Sequence, residues 1–474
     1  MDPYLDTSFK TFSDPVHGYI SMTRLAVSII DTSPFKRLER LHQLGSCFHV
    51  FRGATHTRFE HSLGTYHLAG RLTDCIRKRT PVGELNRWLS EIPELKSYYH
   101  RRMDKEAALF DNYVVELIKI AALCHDLGHG PLSHVFDDIF LRDLPDSHPM
   151  KHHEQRSIAI FKKIVGESRF ISTIIHPDDQ EFIGTLIDPP ADRSGFVYQI
   201  VSNNLNGLDV DKYDYLMRDA HIIKPRMILD CERMISDVRL IDNVICYPRQ
   251  AYMNVVELYR LRYRMHKQVY NHKTVVAIEY MLTDMMRFVD KPLGISKSVT
   301  DLDYFCELDE DFIRNVVKFT TMYQKTPDLE FVAARQLLTR IDQRKLYSHV
   351  GTLVTDTNKD KKEPFDLGRL STLVDVSVEE LNKVLIIHQN SVGYVSGDKQ
   401  NPLEKIYYYD HKAIHNGAMP EKFLLDESRM TKLVPTCYRE HVTMIFYTGL
   451  DKKFLQKLRN GFAEMTAVSS DSES

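Results

Sequence analysis

Residues 121–134 read AALCHDLGHGPLSH, and this stretch decides how the fold of the chain is interpreted. It closes the run YVVELIKIAALC (113–124), in which apolar residues recur every three or four positions, as on one face of a helix. The glycines that follow, beginning with Gly128, are typical of a helix C-terminus. The sequence therefore predicts a helix that ends here and presents His125 and Asp126 at its end.

Composition limits the class of protein. With 474 residues the chain exceeds what one hydrophobic core commonly supports, so we expect one large domain and a smaller lobe. A formal net charge of −3 gives no overall basic field for nucleic acid. No apolar stretch approaches the roughly 20 residues that a bilayer span needs. Seven scattered cysteines and first residues that do not resemble a signal peptide lead us to expect the cytoplasm or nucleus.

Patterning along the chain divides it into four parts. An N-terminal arm (1–13) precedes a mainly helical domain (14–295). Short β-rich runs such as KVLIIHQ and VTMIFYT alternate with helical stretches over 296–465, and they predict a smaller C-terminal α+β lobe. The serine-rich tail (466–474) has the composition of a disordered segment. The predicted fold class is therefore mainly α with a small α+β lobe.

Histidines and carboxylates elsewhere in the chain indicate that residues 121–134 contribute to a metal site. An adjacent His125–Asp126 pair is a weak signal alone, because neighbouring helical residues point about 100° apart. The segment HTRFEHSLG adds His61, and NGLDVDKYDYLMRDA adds Asp211. Imidazole and carboxylate ligands suit a first-row divalent metal with open coordination positions, as a catalytic site requires. Zinc, iron and manganese all fit this donor set.

The order His61, His125–Asp126, Asp211 is an H…HD…D arrangement, which resembles that of HD-domain metal-dependent phosphohydrolases. The segments DPVHGYI, FKRLERLHQLG, HEQRS and YNHKTVVAIEYMLTDM follow as in one branch, the sterile-alpha-motif/HD-domain deoxynucleoside triphosphate triphosphohydrolases. The resemblance implies an HD-type helical phosphohydrolase core. Because the HD motifs begin near the first residue, we expect no sterile-alpha-motif domain in this chain.

The resemblance assigns roles in the chemistry to individual residues. It implies four metal ligands, which are His61, His125, Asp126 and Asp211. It also implies a catalytic histidine, His153, whose imidazole can pass a proton to the departing oxygen while Glu154 orients the ring. The other residues implied near the reacting phosphate are His129, His134 and Asp137. Asp137 is expected to orient one of the imidazoles.

The implied substrate is a deoxynucleoside triphosphate, which is hydrolysed at its α-phosphorus to deoxynucleoside and inorganic triphosphate, with Mg²⁺ accompanying the nucleotide. A triphosphate needs cations, preferably arginine forks. The resemblance implies substrate contacts from Gln43, Leu44, Arg58, Lys212, Tyr215, Asp219, Arg262, His266 and Tyr270. The ring of Tyr215 is expected to exclude the 2′-hydroxyl of ribonucleotides.

Two sets of these residues repeat at four-residue steps. Asp211, Tyr215 and Asp219 would share one face of a helix. Arg262, His266 and Tyr270 repeat the step on a second long helix, which the pattern predicts from residue 251 to about 286.

The resemblance further implies activation by GTP and dNTPs and assembly into a dimer or tetramer. The matching allosteric positions are Lys10, Asp31, Arg233, Asn254, His272 and Lys273. Lys36 and Glu39 stand where the vertebrate pattern has glutamine and arginine, and the glutamate reverses the charge that would face a triphosphate. Constitutive activity, a different activator and assembly by protein contacts alone therefore stay open.

Two other functions also stay open. The same metal could serve another HD-type phosphohydrolase, either a nuclease or a cyclic-dinucleotide phosphodiesterase, but one tryptophan and a near-neutral charge do not predict a basic, aromatic-lined groove. An inactive nucleotide sensor or nucleic-acid-binding scaffold would be expected to show a damaged ligand set, and this one is intact. We expect dNTPs as the main partners, nucleic acid as a secondary partner and no membrane.

Overall fold

The computed structural model describes residues 3–102, 104, 106–223, 229–326, 328–356, 365–394, 401–412, 419–425 and 438–470. Its α-helices are α1 Arg24–Ile30, α2 Ser33–Lys36, α3 Arg58–Arg79, α4 Val82–Ser90, α5 Lys96–Arg101, α6 Asn112–Cys124, α7 His153–Glu167, α8 Arg169–Ser172, α9 Pro177–Ile187, α10 Val210–Ile223, α11 Glu232–Ser236, α12 Tyr252–Met265, α13 Lys273–Leu293, α14 Leu302–Glu307, α15 Glu310–Tyr323, α16 Leu329–Asp342, α17 Leu367–Val374, α18 Val378–Val384 and α19 Lys452–Ser470. Its strands are β1 Lys10–Asp14, β2 Gly18–Met22, β3 Arg239–Ile241, β4 Val244–Pro248, β5 Ser348–Asp356, β6 Leu385–Gly393, β7 Tyr407–Tyr409, β8 Phe423–Leu424 and β9 Arg439–Tyr447.

Helices dominate, and the strands form small sheets, which confirms the predicted fold class. β1 and β2 form an antiparallel hairpin, and a second sheet has the order β3-β4-β7-β8, in which only β4 and β7 are parallel. The third sheet is antiparallel, with the order β5-β9-β6.

The chain divides into two compact units. The first comprises Met1–Leu261, Ile295–Arg314 and Pro402–Met430, and the second comprises Arg262–Gly294, Asn315–Asn401 and Thr431–Ser474. These limits cross the predicted boundary at residue 295 in three segments, since 262–294 fall in the second unit and 296–314 and 402–430 fall in the first. α13 packs against α16 and β5 and so joins the second unit, whereas β7 pairs with β4 and so joins the first.

The core of the first unit is built around α6. Asp111 caps this helix by accepting hydrogen bonds from the backbone N–H groups of Tyr113 and Val114. Every residue from Tyr113 to Cys124 is buried, and α3 packs on both α6 and α10. The helix ends at Cys124, as the sequence predicted. The segment that follows therefore leaves the core with its histidines already close to α3 and α10.

The core of the second unit lies between the sheet β5-β9-β6 and the helices α17, α18 and α19. Its buried residues are Val350, Leu370, Val374, Leu381, Leu385, Ile445, Tyr447, Leu458, Phe462 and Met465. The central strand β9 is buried from His441 to Tyr447, so both faces of the sheet are covered there.

The prediction of one long helix from residue 251 to about 286 is wrong. α12 ends at Met265, a π-helical turn covers His266–Tyr270, and α13 begins at Lys273. The side chain of His272 accepts a hydrogen bond from the backbone N–H of Thr274, so it caps the new helix. The chain thus breaks where no glycine or proline signals a break.

Regular structure occurs in the predicted N-terminal arm and in the predicted disordered tail. The predicted N-terminal arm contains most of β1, and α19 continues to Ser470, past the predicted start of the tail at residue 466. Residues 471–474 lie outside the described part of the chain. Within that described part, every helix is too short or too polar to span a lipid bilayer.

Candidate active site

Four side chains that lie on, or directly after, three helices come together in the first unit. His61 lies on α3, His125 and Asp126 directly follow α6, and Asp211 lies in the first turn of α10. The Nε2 of His61 is 3.3 Å from the Nε2 of His125 and 3.1 Å from an oxygen of Asp211. One ligand atom from each of His61, His125 and Asp126 lies within 4.8 Å of the others. His61, His125 and Asp126 are therefore close enough together to share one ion, and an oxygen of Asp211 lies within 3.5 Å of both imidazoles.

The hydrogen bonds of the two imidazoles show what could lie among them. The Nδ1 of His61 is 2.7 Å from Asp214, and the Nδ1 of His125 is 2.7 Å from the carbonyl oxygen of Ala122, so both Nδ1 atoms act as donors. In neutral rings each Nε2 then carries a lone pair, and the two Nε2 atoms lie 3.3 Å apart. Lone pairs at this separation repel unless a cation lies between them. The donor set fits a divalent metal.

Protons compensate the charge of this group when no metal does. Burial acts to lower the pKa of His61, but hydrogen bonds to Asp211 and Asp214 outweigh it and raise the pKa to about 10. Burial acts to raise the pKa of Asp211, and hydrogen bonds from His125 and His61 hold it well below its usual range instead. The carboxylates of this site are therefore paired with positive charge, which protonated imidazoles supply when no metal does.

Two buried guanidinium groups hold the backbone turn that follows α6. Arg37 donates to the carbonyl oxygens of Leu127 and His129, both at 2.8 Å. Arg156 donates to the carbonyl oxygen of Gly128, also at 2.8 Å. Both arginine side chains are fully buried. Because three successive carbonyl groups are bound in this way, the turn is fixed as a unit.

The same turn is packed directly on the start of α7. A Cβ atom added to Gly128 would lie 2.1 Å from the carbonyl oxygen of His153, so only glycine fits. The hydroxyl of Ser157 accepts a hydrogen bond from the N–H of Gly128 and donates one to the carbonyl oxygen of His125. This contact sets the distance between the HD pair and His153.

A second histidine cluster lies beside the first. The rings of His129 and His153 stack with 3.9 Å between centroids, and His134 stands edge-on to His129 at 4.9 Å. The Nδ1 of His153 is 3.2 Å from Asp137 and 3.5 Å from Glu154. The predicted catalytic residues are thus together, and Asp137 is closer to the ring of His153 than the expected partner Glu154.

The stacked imidazoles differ in acidity. Burial lowers the pKa of His129 well below its usual value, and the charges of Arg58 and His153 lower it further. Burial also opposes protonation of His153, but its hydrogen bond to Asp137 and the charge of Glu154 outweigh burial and raise its pKa. Burial lowers the pKa of His134 to about 4. His153 is therefore the member of the cluster that holds a proton most readily.

Two of the expected cations have acidic partners. Arg58, the first residue of α3, is buried and donates to Asp126 and to the hydroxyl of Ser133. Burial acts to raise the pKa of Asp126, but the Arg58 guanidinium and the neighbouring histidines hold it well below the usual range. The ammonium group of Lys212 is 3.4 Å from Asp209. Positive charge is thus held next to the H…HD…D group.

Tyr215 and Asp219 follow Asp211 at one-turn steps on α10, as predicted. A carboxylate oxygen of Asp219 lies 2.7 Å from the Nε2 of His56, and both side chains are buried. The backbone N–H of Gln43 donates to the carbonyl oxygen of His56 at 3.0 Å. The side-chain oxygen of the buried Gln43 has no hydrogen-bond partner among the described residues.

Leu44 immediately precedes a 3₁₀ turn, Gly45–His49, and is partly buried. Its position next to Gln43 is what the resemblance implies for a nucleotide contact.

Three predicted substrate contacts belong to the second unit. Arg262 is buried near the end of α12 and donates to the carbonyl oxygen of Gly393. His266 and Tyr270 lie in the π-helical turn, with 4.9 Å between their ring centroids. The predicted single α-helix beneath these three residues is thus replaced by α12 followed by a π-helical turn.

The predicted allosteric residues near the N-terminus lie on the surface of the first unit. The ammonium group of Lys10, in β1, is 4.8 Å from the ring centroid of Phe12. Asp31, at the end of α1, pairs with Lys36 at 3.3 Å, and both side chains are half exposed. The carboxylate expected to recognise guanine therefore already has a cation beside it.

The other predicted allosteric residues are divided between the units. Arg233 is exposed on α11, and the side-chain amide of Asn254 donates to the carbonyl oxygen of Asp230 at 3.1 Å in the first unit. His272 and Lys273 begin α13 in the second unit.

The sequence places Asp214 among the carboxylates near Asp211 but gives no role to the buried charged group that it forms beside His61. Asp214 is hydrogen bonded to the Nδ1 of His61 and lies 2.6 Å from the Nε2 of His17. Arg218 donates to Asp214 at 2.9 Å and to Asp14 at 2.8 Å. The available signals were the four-residue step between Asp214 and Arg218 and the DPVHGYI segment, whose role periodicity does not reveal.

Known proteins resemble this chain over most of its length. The HD domain family matches residues 58–215. A putative HD domain-containing protein, L394 of Acanthamoeba polyphaga mimivirus, is 38% identical over 87% of this chain and 88% of its own length. The SAMHD1 homolog of Dictyostelium discoideum, named a deoxynucleoside triphosphate triphosphohydrolase, is 31% identical over 94% of this chain and 78% of its own length. The Homo sapiens deoxynucleoside triphosphate triphosphohydrolase SAMHD1 is 28% identical over 98% of this chain and 74% of its own length.

Proposed function

Since this chain belongs to the HD-domain phosphohydrolase family that includes the deoxynucleoside triphosphate triphosphohydrolase SAMHD1, we propose that it hydrolyses dNTPs to deoxynucleoside and inorganic triphosphate. The family membership makes it a metal-dependent phosphohydrolase. The observation that carries the finer proposal is the contact between two groups. The H…HD…D donors meet the His129–His153 pair through Asp126, whose oxygen is 3.4 Å from the Nε2 of His129.

The proposed metal ligands are His61, His125, Asp126 and Asp211. A divalent metal held there would polarise a phosphate oxygen and activate a water molecule for attack on the α-phosphorus. Zinc, iron and manganese suit the donors, and Mg²⁺ would accompany the nucleotide.

The proposed general acid is His153. Its Nδ1 faces Asp137, so the proton to be transferred is on Nε2, and it passes to the departing 5′ oxygen of the deoxynucleoside. Asp137 is itself hydrogen bonded to the buried Arg156, which keeps it ionised and in place. Glu154, which is more exposed, supports the same ring orientation.

Charge around the reacting group would hold the triphosphate. Arg58 and Lys212 supply cations in the first unit, and the largely neutral His129 and His134 supply N–H donors. For Arg262, His266 and Tyr270, which belong to the second unit, the proposal depends on the family resemblance alone.

The sugar would be recognised beside α10. The unpartnered oxygen of Gln43 can accept a hydrogen bond from the 3′-hydroxyl, and Asp219, held by His56, can accept another. The ring of Tyr215 would fill the space of a 2′-hydroxyl, and Leu44 would line the same side. Recognition of sugar and phosphate without base contacts favours activity on all four dNTPs.

Regulation and assembly extend the proposal. We propose that the chain forms a dimer or tetramer in the cytoplasm or nucleus and that GTP or dNTPs act at Lys10, Asp31, Arg233, Asn254, His272 and Lys273. The departures at Lys36 and Glu39 make GTP the weaker activator of the two.

The test is a product analysis. Purified protein is incubated with each dNTP or ribonucleotide, with Mg²⁺, Mn²⁺, Zn²⁺ or Fe²⁺, with and without GTP, and the products are separated by chromatography. Deoxynucleoside and intact triphosphate in equal amounts, abolished by a chelator, are the expected result. Release of orthophosphate or pyrophosphate, or cleavage of DNA or cyclic dinucleotides instead, would contradict the proposed reaction.

A further inference from the structure

The carboxylate of Asp214, which is hydrogen bonded to His61, has hydrogen-bond partners at both of its oxygens. One oxygen of Asp214 is 2.7 Å from the Nδ1 of His61 and 2.9 Å from the Nε of Arg218. The other oxygen is 2.6 Å from the Nε2 of His17 and 2.9 Å from the Nη2 of Arg218. A carboxylate has about four lone-pair positions, and all of them are used. Asp214 therefore cannot turn without losing a buried hydrogen bond.

This group ties the N-terminal hairpin to His61. Arg218 also donates to Asp14, the last residue of β1, and His17 lies in the turn between β1 and β2. Asp214, Arg218 and His61 are each fully buried. Moving one of these side chains away would separate a buried charge from its partner, which is costly.

Space for this carboxylate exists because α3 has a glycine one turn after His61. A Cβ atom on Gly64 would lie 1.8 Å from an oxygen of Asp214 and 2.6 Å from the Nη2 of Arg218. Glycine inside a helix costs about 1 kcal/mol relative to alanine, so its position here needs a local reason. The contact with Asp214 provides that reason.

A second glycine on the same helix shows the contrast. The nearest atom to a Cβ on Gly70 would be the Cε of Lys119, at 3.4 Å, the far part of a flexible side chain. Alanine at Gly70 therefore fits with a small movement, whereas alanine at Gly64 must displace a buried carboxylate.

We propose that Asp214 is a positioning residue that fixes the ring and tautomer of His61, and that Gly64 is the residue that admits it. The inference rests on the proposed function, in which His61 is a metal ligand. With its Nδ1–H donated to Asp214, His61 presents the lone pair of Nε2 towards His125 and Asp211. Carboxylates in this relation to a ligating histidine change metal affinity by about 10- to 100-fold when they are removed.

The test measures metal affinity, not turnover. The protein is stripped of metal, and Zn²⁺ or Co²⁺ is titrated against a chromophoric chelator for the unsubstituted chain, Gly64→Ala and Gly70→Ala. We expect affinity to fall by about 10- to 100-fold in Gly64→Ala and to stay unchanged in Gly70→Ala. The visible absorption of bound Co²⁺ should also change in Gly64→Ala, because the ligand geometry changes, and it should not change in Gly70→Ala.

Asp214→Asn is the second variant, because it keeps the size of the side chain and removes its charge. It should weaken metal binding in the same way, and it decides the matter if Gly64→Ala does not fold. Wild-type affinity in Gly64→Ala or Asp214→Asn, with metal bound by the unsubstituted protein, would overturn the positioning role alone. Failure of the unsubstituted protein to bind metal would overturn the proposed metal site and this inference together.

Discussion

The imidazole ring of His129 stacks on that of His153 with 3.9 Å between centroids, yet their pKa values are shifted in opposite directions. Two histidines in contact cannot both be charged at low cost, so the one with the carboxylate partner takes the proton. That partner is Asp137, 3.2 Å from the Nδ1 of His153. Asp137 therefore makes His153 the protonated ring of the pair, while the adjacent His129 is a neutral N–H donor.

The first prediction concerns the pH dependence of activity. The raised pKa of His153 means that the proposed general acid is protonated below that pKa and is lost as pH rises through it. Asp137→Asn removes the interaction that raises this pKa. The alkaline limb of kcat/KM against pH should therefore move to lower pH in Asp137→Asn.

Glu154→Gln is the control for this shift. Glu154 is 3.5 Å from the Nδ1 of His153, and 40% of its side chain is exposed, so solvent screens its charge. The limb should move less than in Asp137→Asn. An alkaline limb that stays in place in Asp137→Asn would exclude His153 as the acid that the profile reports.

The second prediction concerns Asp211, whose side chain is 34% exposed although it lies 3.1 Å from His61. Asp211→Asn keeps the size of the side chain and removes the charge, so we expect loss of metal and of turnover with little change in unfolding temperature. Metal content by mass spectrometry and the unfolding temperature in chelator check this. Full turnover with metal still bound would remove Asp211 from the ligand set.

Part of this site can be predicted from sequence because it uses local signals. The helix before His125 ends where its apolar periodicity meets glycine, and α10 carries its polar residues at helical steps. The role of Asp214 could not be predicted, since periodicity gives the face of a helix but not the remote group that it meets. The sequence likewise shows Gly64 only as a residue of low helix propensity, because its contact with Asp214 is seen only in the structure.

The break between α12 and α13 had no local signal either. A π-helical turn inserts one residue into an otherwise favourable helical sequence, and packing decides where that happens. The prediction of one continuous α-helix beneath Arg262, His266 and Tyr270 is therefore wrong, although the rings of His266 and Tyr270 still lie 4.9 Å apart.

The third prediction concerns discrimination against ribonucleotides. Tyr215 is one turn from Asp211 and one turn from Asp219, which is held by His56. Tyr215→Ala should open space for a 2′-hydroxyl and raise the ratio of GTP to dGTP hydrolysis. Tyr215→Phe keeps the ring and should still reject ribonucleotides. Equal discrimination in the alanine and unsubstituted enzymes would rule out a steric role for this ring.

The fourth prediction compares two neighbouring cations. Arg37 is fully buried and donates to the carbonyl oxygens of Leu127, His129 and Leu308, whereas Lys36 is half exposed and pairs with the half-exposed Asp31. Arg37→Met would leave three buried acceptors unpaired and should cost about 3 kcal/mol or more of the free energy of unfolding. Lys36→Met should cost less than about 1 kcal/mol.

Urea titration of both variants measures this difference. The Arg37 variant should also lose activity before it unfolds, because the turn that carries His125 and Asp126 loses two of its hydrogen bonds. Equal unfolding free energies for Arg37→Met and Lys36→Met would mean that the buried guanidinium does not stabilise the turn.

The last prediction concerns GTP. Asp31, expected to recognise guanine, pairs with Lys36 at 3.3 Å, and Glu39 is exposed on the same short segment. An exposed ion pair contributes about 0–1 kcal/mol, so Lys36 alone is a weak obstacle. Replacing an arginine by Glu39 changes the charge facing a triphosphate by two units, which is the larger effect.

Glu39→Arg should therefore increase activation by GTP more than Lys36→Gln, and the double variant should increase it most. Initial rates of dATP hydrolysis against GTP concentration, at low and high salt, measure both effects, and salt should weaken the gain from Glu39→Arg. Strong GTP activation of the unsubstituted enzyme would show instead that guanine binding does not depend on the charge at this position.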